Sequence, residues 1–140
     1  MKVLIVDDSK IVCEGLQQML INIADVEVVG QANDAQDAIT AILEYEPDVV
    51  ILDIRLPGLS GIDVLKDIRA KNLSSLVIML TNYPYPQYRK ICKELGADYF
   101  FDKVTEIEEI PILIEELAKN KHENMKKGRN KKNESIDPAC

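Results

Sequence analysis

Short unbroken apolar runs alternate with one-sided apolar stripes along this chain. The runs fall at Lys2–Val6, Val26–Ala32, Asp48–Leu52, Leu76–Leu80 and Asp98–Asp102, and they read as strands. Their cores lack polar alternation, as expected of strands covered on both faces. Between them apolar residues recur at helical spacing. One stripe is Val12, Leu16, Met19, Leu20 and Ile23; another is Ala35, Ala38, Ile39, Ile42 and Leu43; the last is Ile110, Leu113, Ile114 and Leu117. Each is an apolar helix face that must cover a sheet, so core packing accounts for it. Strand alternating with helix implies a parallel sheet with helices on both sides. Five such units suit the doubly wound strand order 2-1-3-4-5, an α/β fold.

The punctuation fits that frame. Asn33 can cap the second helix and Ser60 the third. Gly96 stands where a glycine would end the fourth. Thr105 and Glu108 have capping-box spacing for the fifth, whereas Pro111 argues for a start nearer Glu109.

Polar residues stand at the carboxyl ends of four runs: Asp7 and Asp8 after the first, Asp53 after the third, Thr81 after the fourth and Lys103 after the fifth. Ligands of open parallel sheets bind beyond those ends, at the point where strand order reverses. In the order 2-1-3-4-5 that point lies between the first and third strands, which brings Asp7 and Asp8 beside Asp53. Hard oxygen ligands of this kind suit Mg²⁺. A carboxylate can accept a phosphoryl group as an acyl phosphate, and a lysine can neutralise phosphoryl oxygens. Each residue alone has a plainer reading. Asp7 and Asp8 could cap the first helix, Asp53 could be a loop acid before the Pro57-Gly58 turn, and Lys103 could be a solvated surface lysine. Their joint placement favours a site.

Charge and composition narrow the class. The chain has 140 residues, 46% of them hydrophobic, enough for one globular domain. Residues 1–118 carry 21 acids and 10 bases; residues 119–140 carry 3 acids and 7 bases. An acidic body is a poor nucleic-acid surface, so no direct nucleic-acid binding by this segment is expected. The basic end, nearly free of apolar residues, is expected to be a disordered tail after a short helical extension. No apolar run has membrane-spanning length. MKVLIVDD is unlike a signal peptide, so a cytoplasmic protein is expected. The three cysteines, Cys13, Cys92 and Cys140, form no CxxC pair, and the two in helices read as buried thiols.

The chain resembles the receiver domain of two-component response regulators over about residues 1–118. The resemblance is carried by VDDS at the first strand end, LDIRLPGLSG around the third, the Thr81 ending of the fourth, and GADYFFDK around the fifth. It implies a flavodoxin-like receiver fold with Asp53 as phosphoacceptor for a histidine kinase or phosphotransfer protein. It implies Mg²⁺ held by Asp8, Asp53 and the backbone carbonyl of Arg55, with Asp7 acting partly through water. Thr81 and Lys103 would contact the phosphoryl oxygens. Thr81 and Phe100 would form the switch that alters the helix 4–strand 5–helix 5 face. Such a domain is a self-modifying acceptor rather than an enzyme. It signals to a downstream protein or an attached effector domain, and a homodimer through that face is possible.

The sequence departs from the family at two places. Val104 follows Lys103 where the family has proline, and the bulkier Asn82 follows Thr81. Arg55 and Tyr83 occupy positions that tune hydrolysis of the acyl phosphate, and their bulk predicts slow loss of the phosphoryl group. Two other function classes compete. A phosphatase with an aspartyl intermediate would need a DxD pair after the first strand, and Asp7-Asp8-Ser9 lacks it. A phosphorylation-independent interaction module with the same fold would bind its partner without Asp53.

Overall fold

The computed structural model describes residues 1–131. Five strands, β1 (Lys2–Val6), β2 (Glu27–Ala32), β3 (Val49–Leu52), β4 (Leu76–Thr81) and β5 (Tyr99–Asp102), alternate with five helices. The helices are α1 (Lys10–Leu20), α2 (Ala35–Tyr45), α3 (Gly61–Ala70), α4 (Pro86–Glu94) and α5 (Glu109–Lys131). All strands are parallel, in the order β2-β1-β3-β4-β5. The doubly wound sheet read from the alternation of runs and stripes is therefore the fold.

Successive strand residues face opposite sides of the sheet, and the core divides accordingly. Val3, Ile5, Val49, Ile51, Ile78 and Leu80 pack with Cys13, Leu16 and Leu20 of α1 and with Ile110 and Ile114 of α5. Leu4, Val6, Val50, Leu52, Val77 and Met79 pack with residues of α2, α3 and α4, among them Ala38, Ile42, Leu65 and Cys92. Two stripe members fall outside the core: Met19 is 38% and Leu43 52% exposed. They sit at the stripe margins, where a long apolar side chain covers neighbours without being enclosed. Cys13 and Cys92 are buried, as read.

Three boundaries differ from expectation. Asp34, not Asn33, caps α2, accepting from the Asp37 amide at 2.7 Å. Asn33 instead donates to the Asp7 carbonyl at 3.0 Å, a partner remote in sequence. The Thr105–Glu108 capping box does not form, because residues 103–108 turn before α5 begins at Glu109, the start that Pro111 argued for. Pro111 is then the third helical residue, where a missing N–H costs nothing because the first four have no intrahelical partner. Finally, α5 does not stop shortly after residue 118 but continues to Lys131. Residues 132–140, the remainder of the expected disordered tail, lie outside the described residues. The Ser60 cap is as expected, with reciprocal bonds to Asp63, and Gly96 adopts φ +96 after α4.

Candidate functional site

The ends of β1 and β3 are adjacent because the strands pair Val6 with Leu52. The ladder continues one residue beyond each: the Asp7 amide donates to the Ala32 carbonyl, and the Asp53 amide to the Val6 carbonyl, both at 3.0 Å. Both aspartates are thus held by backbone bonds at the sheet edge and are buried, as are Thr81 and Lys103. Asp8, next along the chain, is exposed.

Lys103 reaches across from the end of β5. Its Nζ donates to Asp7 Oδ2 at 2.5 Å and to Asp53 Oδ2 at 2.9 Å. Asp7 Oδ1 accepts from the Ser9 amide at 2.9 Å, so both oxygens of Asp7 are engaged. Asp53 Oδ1 is buried and has no partner. An unpaired buried oxygen is costly unless a ligand supplies its partner. Carboxylate oxygens of Asp7, Asp8 and Asp53 lie within 4.8 Å of one another. Hard oxygens at that spacing, one of them orphaned, fit a divalent cation.

The electrostatics follow from burial. Burial pushes the Asp53 carboxyl above its usual range; Lys103 opposes this, and the charge of Asp7 adds to it. Burial alone would lower Lys103, but its hydrogen bonds to Asp7 and Asp53 and their charges raise it instead. Lys103 is therefore a firm cation between two acids. Thr81 is fully buried at the end of the neighbouring β4, its Oγ1 accepting from the Tyr83 amide at 3.1 Å. The Lys103 amide donates to the Thr81 carbonyl at 2.8 Å, which ties the ends of β4 and β5. No cis peptide occurs among the described residues, so Lys103–Val104 is trans.

The structure brings Asp7, Asp8, Asp53 and Lys103 together. Phe100 lies apart, half-buried on β5 against the α2–α3–α4 core. There the Arg89 guanidinium carbon lies 4.6 Å from its ring centroid, and Arg89 donates to its carbonyl at 3.2 Å. Two supporting residues do something the sequence reading did not assign to them. Asn33 anchors the Asp7 backbone, and Gly61 allows α3 to start against the loop that follows Asp53. A Cβ on Gly61 would sit 1.8 Å from the Asp53 carbonyl oxygen. The signal available for Gly61 is the Ser-Gly pair that ends LDIRLPGLSG; the sequence reading uses it as a helix cap and as part of the family motif, not as a close backbone approach.

The comparisons with known proteins agree with this geometry. A family model described as the response regulator receiver domain matches residues 3–115. A Bacillus subtilis protein, named an uncharacterized transcriptional regulatory protein YvfU, is 33% identical over 120 residues, covering 86% of this chain and 60% of its own length. The Escherichia coli DNA-binding transcriptional activator EvgA is 30% identical over 120 residues, covering 86% of this chain and 58% of its own. The chain thus spans about three fifths of the length of these relatives. A solved DNA-binding response regulator of the LuxR family from Staphylococcus aureus superposes with a TM-score of 0.77 at 32% identity, covering 84% of this chain and 98% of that one. The signal receiver domain of the putative regulator NarL from Mycobacterium tuberculosis gives 0.77 at 30% identity, covering 84% and 95%. Among the described residues no helix is long and apolar enough to cross a membrane. On fold, site and family match together, the chain belongs to the response regulator receiver domain family.

Proposed function

We propose that this chain is a cytoplasmic phosphoacceptor switch. Asp53 takes a phosphoryl group from a phosphohistidine of a histidine kinase or phosphotransfer protein. One carboxylate oxygen bonds to phosphorus, the phosphorus–nitrogen bond breaks, and its electron pair stays with the imidazole. The observation that carries this reading is the Lys103 bridge between Asp7 and Asp53, with Asp53 Oδ1 buried and unpartnered. Lys103 holds the acceptor in place and carries positive charge to the incoming oxygens. Thr81, at the adjacent strand end, would offer its hydroxyl.

Asp8, Asp53 and the Arg55 carbonyl would hold Mg²⁺, with Asp7 acting through water because its own oxygens are engaged. When bound, the ion would neutralise charge on the phosphoryl oxygens. Ile11 and Val104, 82% and 76% exposed, follow Asp8 and Lys103 closely in the chain and give a donor protein apolar footing near the acceptor. Movement of Thr81 and Phe100 would then alter the α4–β5–α5 face, which would meet a downstream partner, an attached effector domain or a second copy. The Arg55 and Tyr83 side chains meet, two residues past Asp53 and Thr81 respectively. We expect them to slow hydrolysis, so that Arg55→Ala loses its phosphoryl group faster than wild type.

Incubation with Mg²⁺ and acetyl phosphate, followed by intact-mass measurement, tests the reading. An acid-labile gain of one phosphoryl group, absent without Mg²⁺ and absent in Asp53→Ala, is expected. No gain in the wild type, or a gain that survives Asp53→Ala, would remove Asp53 from the role. Equal partner binding by wild type and Asp53→Ala would favour a phosphorylation-independent module instead.

A further inference from the structure

The Arg55 guanidinium carbon lies 3.9 Å from the centroid of the Tyr83 ring. Arg55 stands two residues past Asp53, and Tyr83 two past Thr81. The contact therefore joins the loops leaving β3 and β4, the two loops that begin at acceptor and hydroxyl. The aromatic row continues from Tyr83 to Tyr85, with ring centroids 6.1 Å apart, and from Tyr85 to Tyr88 at 5.7 Å. Tyr88 belongs to α4. At its inner end the row is pinned to the site, since the Tyr83 amide donates to Thr81 Oγ1.

Arg55 enters none of the ion pairs found among the described residues, although three carboxylates cluster nearby. Lys103 already serves Asp7 and Asp53, leaving the exposed guanidinium on an aromatic face. A guanidinium is weakly hydrated and stacks well there. Stacking at an exposed ring is nevertheless weaker than charge-assisted, bidentate bonding to a phosphoryl group. A doubly charged group on Asp53 would outcompete the ring.

We propose that Arg55 is a phosphoryl-binding residue held in reserve on Tyr83, and that its transfer to the phosphoryl group frees the Tyr83–Tyr85–Tyr88 row and so informs α4. This rests on the acceptor role of Asp53 and adds a route to α4 separate from Thr81 and Phe100. It also assigns Tyr83 a sign: the ring competes with the phosphoryl group for the cation.

The test is a double-mutant cycle on the whole chain, using beryllofluoride as phosphoryl mimic with Mg²⁺ and reading the affinity by fluorine NMR. Tyr83→Leu releases the cation and tightens binding by about threefold. Arg55→Ala weakens it by about tenfold. The double variant behaves as Arg55→Ala alone, because Tyr83 acts only through Arg55. Arg55→Lys, which keeps charge but not the planar fork, falls between wild type and Arg55→Ala. The chain has no tryptophan and five tyrosines, three of them in the row, so intrinsic emission read in a background carrying Tyr45→Phe and Tyr99→Phe reports the row. It changes on binding in that background and stays constant when Arg55→Ala is added. Wild-type affinity in Arg55→Ala, or an equal effect of Tyr83→Leu in both backgrounds, would overturn the proposal. No fluoride signal from wild type with Mg²⁺ would instead remove the acceptor role itself, and the reserve cation with it.

Discussion

Single residues show how burial turns ordinary groups into specialised ones. Lys103 and the two aspartates it bridges are each less than a tenth exposed, so removing the ammonium leaves two buried like charges without compensation. Lys103→Met should lower stability without divalent cation by about 3 kcal/mol, read as a fall in the urea midpoint at neutral pH. Added Mg²⁺ should return part of it, and an unchanged midpoint would show the bridge to be energetically idle. Cys92 makes the complementary case. Burial pushes its thiol from 9.0 up to about 11. The unfolded thiol therefore ionises first, and the stability present below pH 9.0 is lost as pH climbs towards about 11. At pH 8 native Cys92 should resist iodoacetamide and label only in denaturant, as mass mapping would record. That both helical cysteines are buried was legible from their place in helices and from the lack of any pairing motif. The stripe margins were less legible: Met19 and Leu43 share helical spacing with core residues yet remain exposed. Periodicity gives an angle around a helix, not the reach of the sheet beneath it.

At the level of elements, the site depends on how closely helices begin against strand ends. Ser60 caps α3 and Gly61 opens it, the Gly61 amide donating to the Ile54 carbonyl at 2.6 Å. Gly61→Ala would drive a methyl group into the Asp53 carbonyl oxygen, so the acceptor loop must shift. We expect a cost of about 1–3 kcal/mol and a larger loss in phosphorylation by acetyl phosphate than the melting change explains. Phosphorylation at the wild-type rate would place Gly61 outside the acceptor's support. Strand and helix identities followed from apolar periodicity because packing imposes it on every element. Caps were read with mixed success. Ser60 caps through its own neighbours, which sequence displays. Asn33 and the Thr105–Glu108 pair depend on where β1 and the β5–α5 turn lie, and local chemistry does not carry that information.

The whole molecule is closed at the opposite end of the strands from Asp53. Asp48 accepts from the Lys2 amide at 2.7 Å and from Lys121 at 2.8 Å, tying α5 past residue 118 to the start of β1 and β3. Partial burial pushes the Asp48 carboxyl up, but the bonds from Lys121 and Lys2 and the charge of Lys121 outweigh it and hold it below its ordinary range. For a depressed carboxyl the contribution is present above the unfolded pKa and is lost as pH falls through the folded one. Hydrogen-exchange protection around Lys121 should thus fall as pH drops below the ordinary carboxyl value of 3.8, and Asp48→Asn should show the low value throughout. Protection independent of pH in wild type would mean that this ion pair does not anchor the helix. The basic composition after residue 118 pointed to a short extension and hid this anchor, because its partner, Asp48, stands just before β3, far away in sequence. By itself the sequence determined the alternation of elements, the sheet order and the polar strand ends, since burial on both faces writes unbroken apolar runs and parallel sheets gather ligands at one edge. Only the tertiary structure decided that Lys103 bridges Asp7 and Asp53, that Asp53 Oδ1 is left unpartnered, that Arg55 rests on Tyr83 and that α5 continues to Lys131. Those are pairings between residues distant in sequence, and their geometry exists only once the layers have packed.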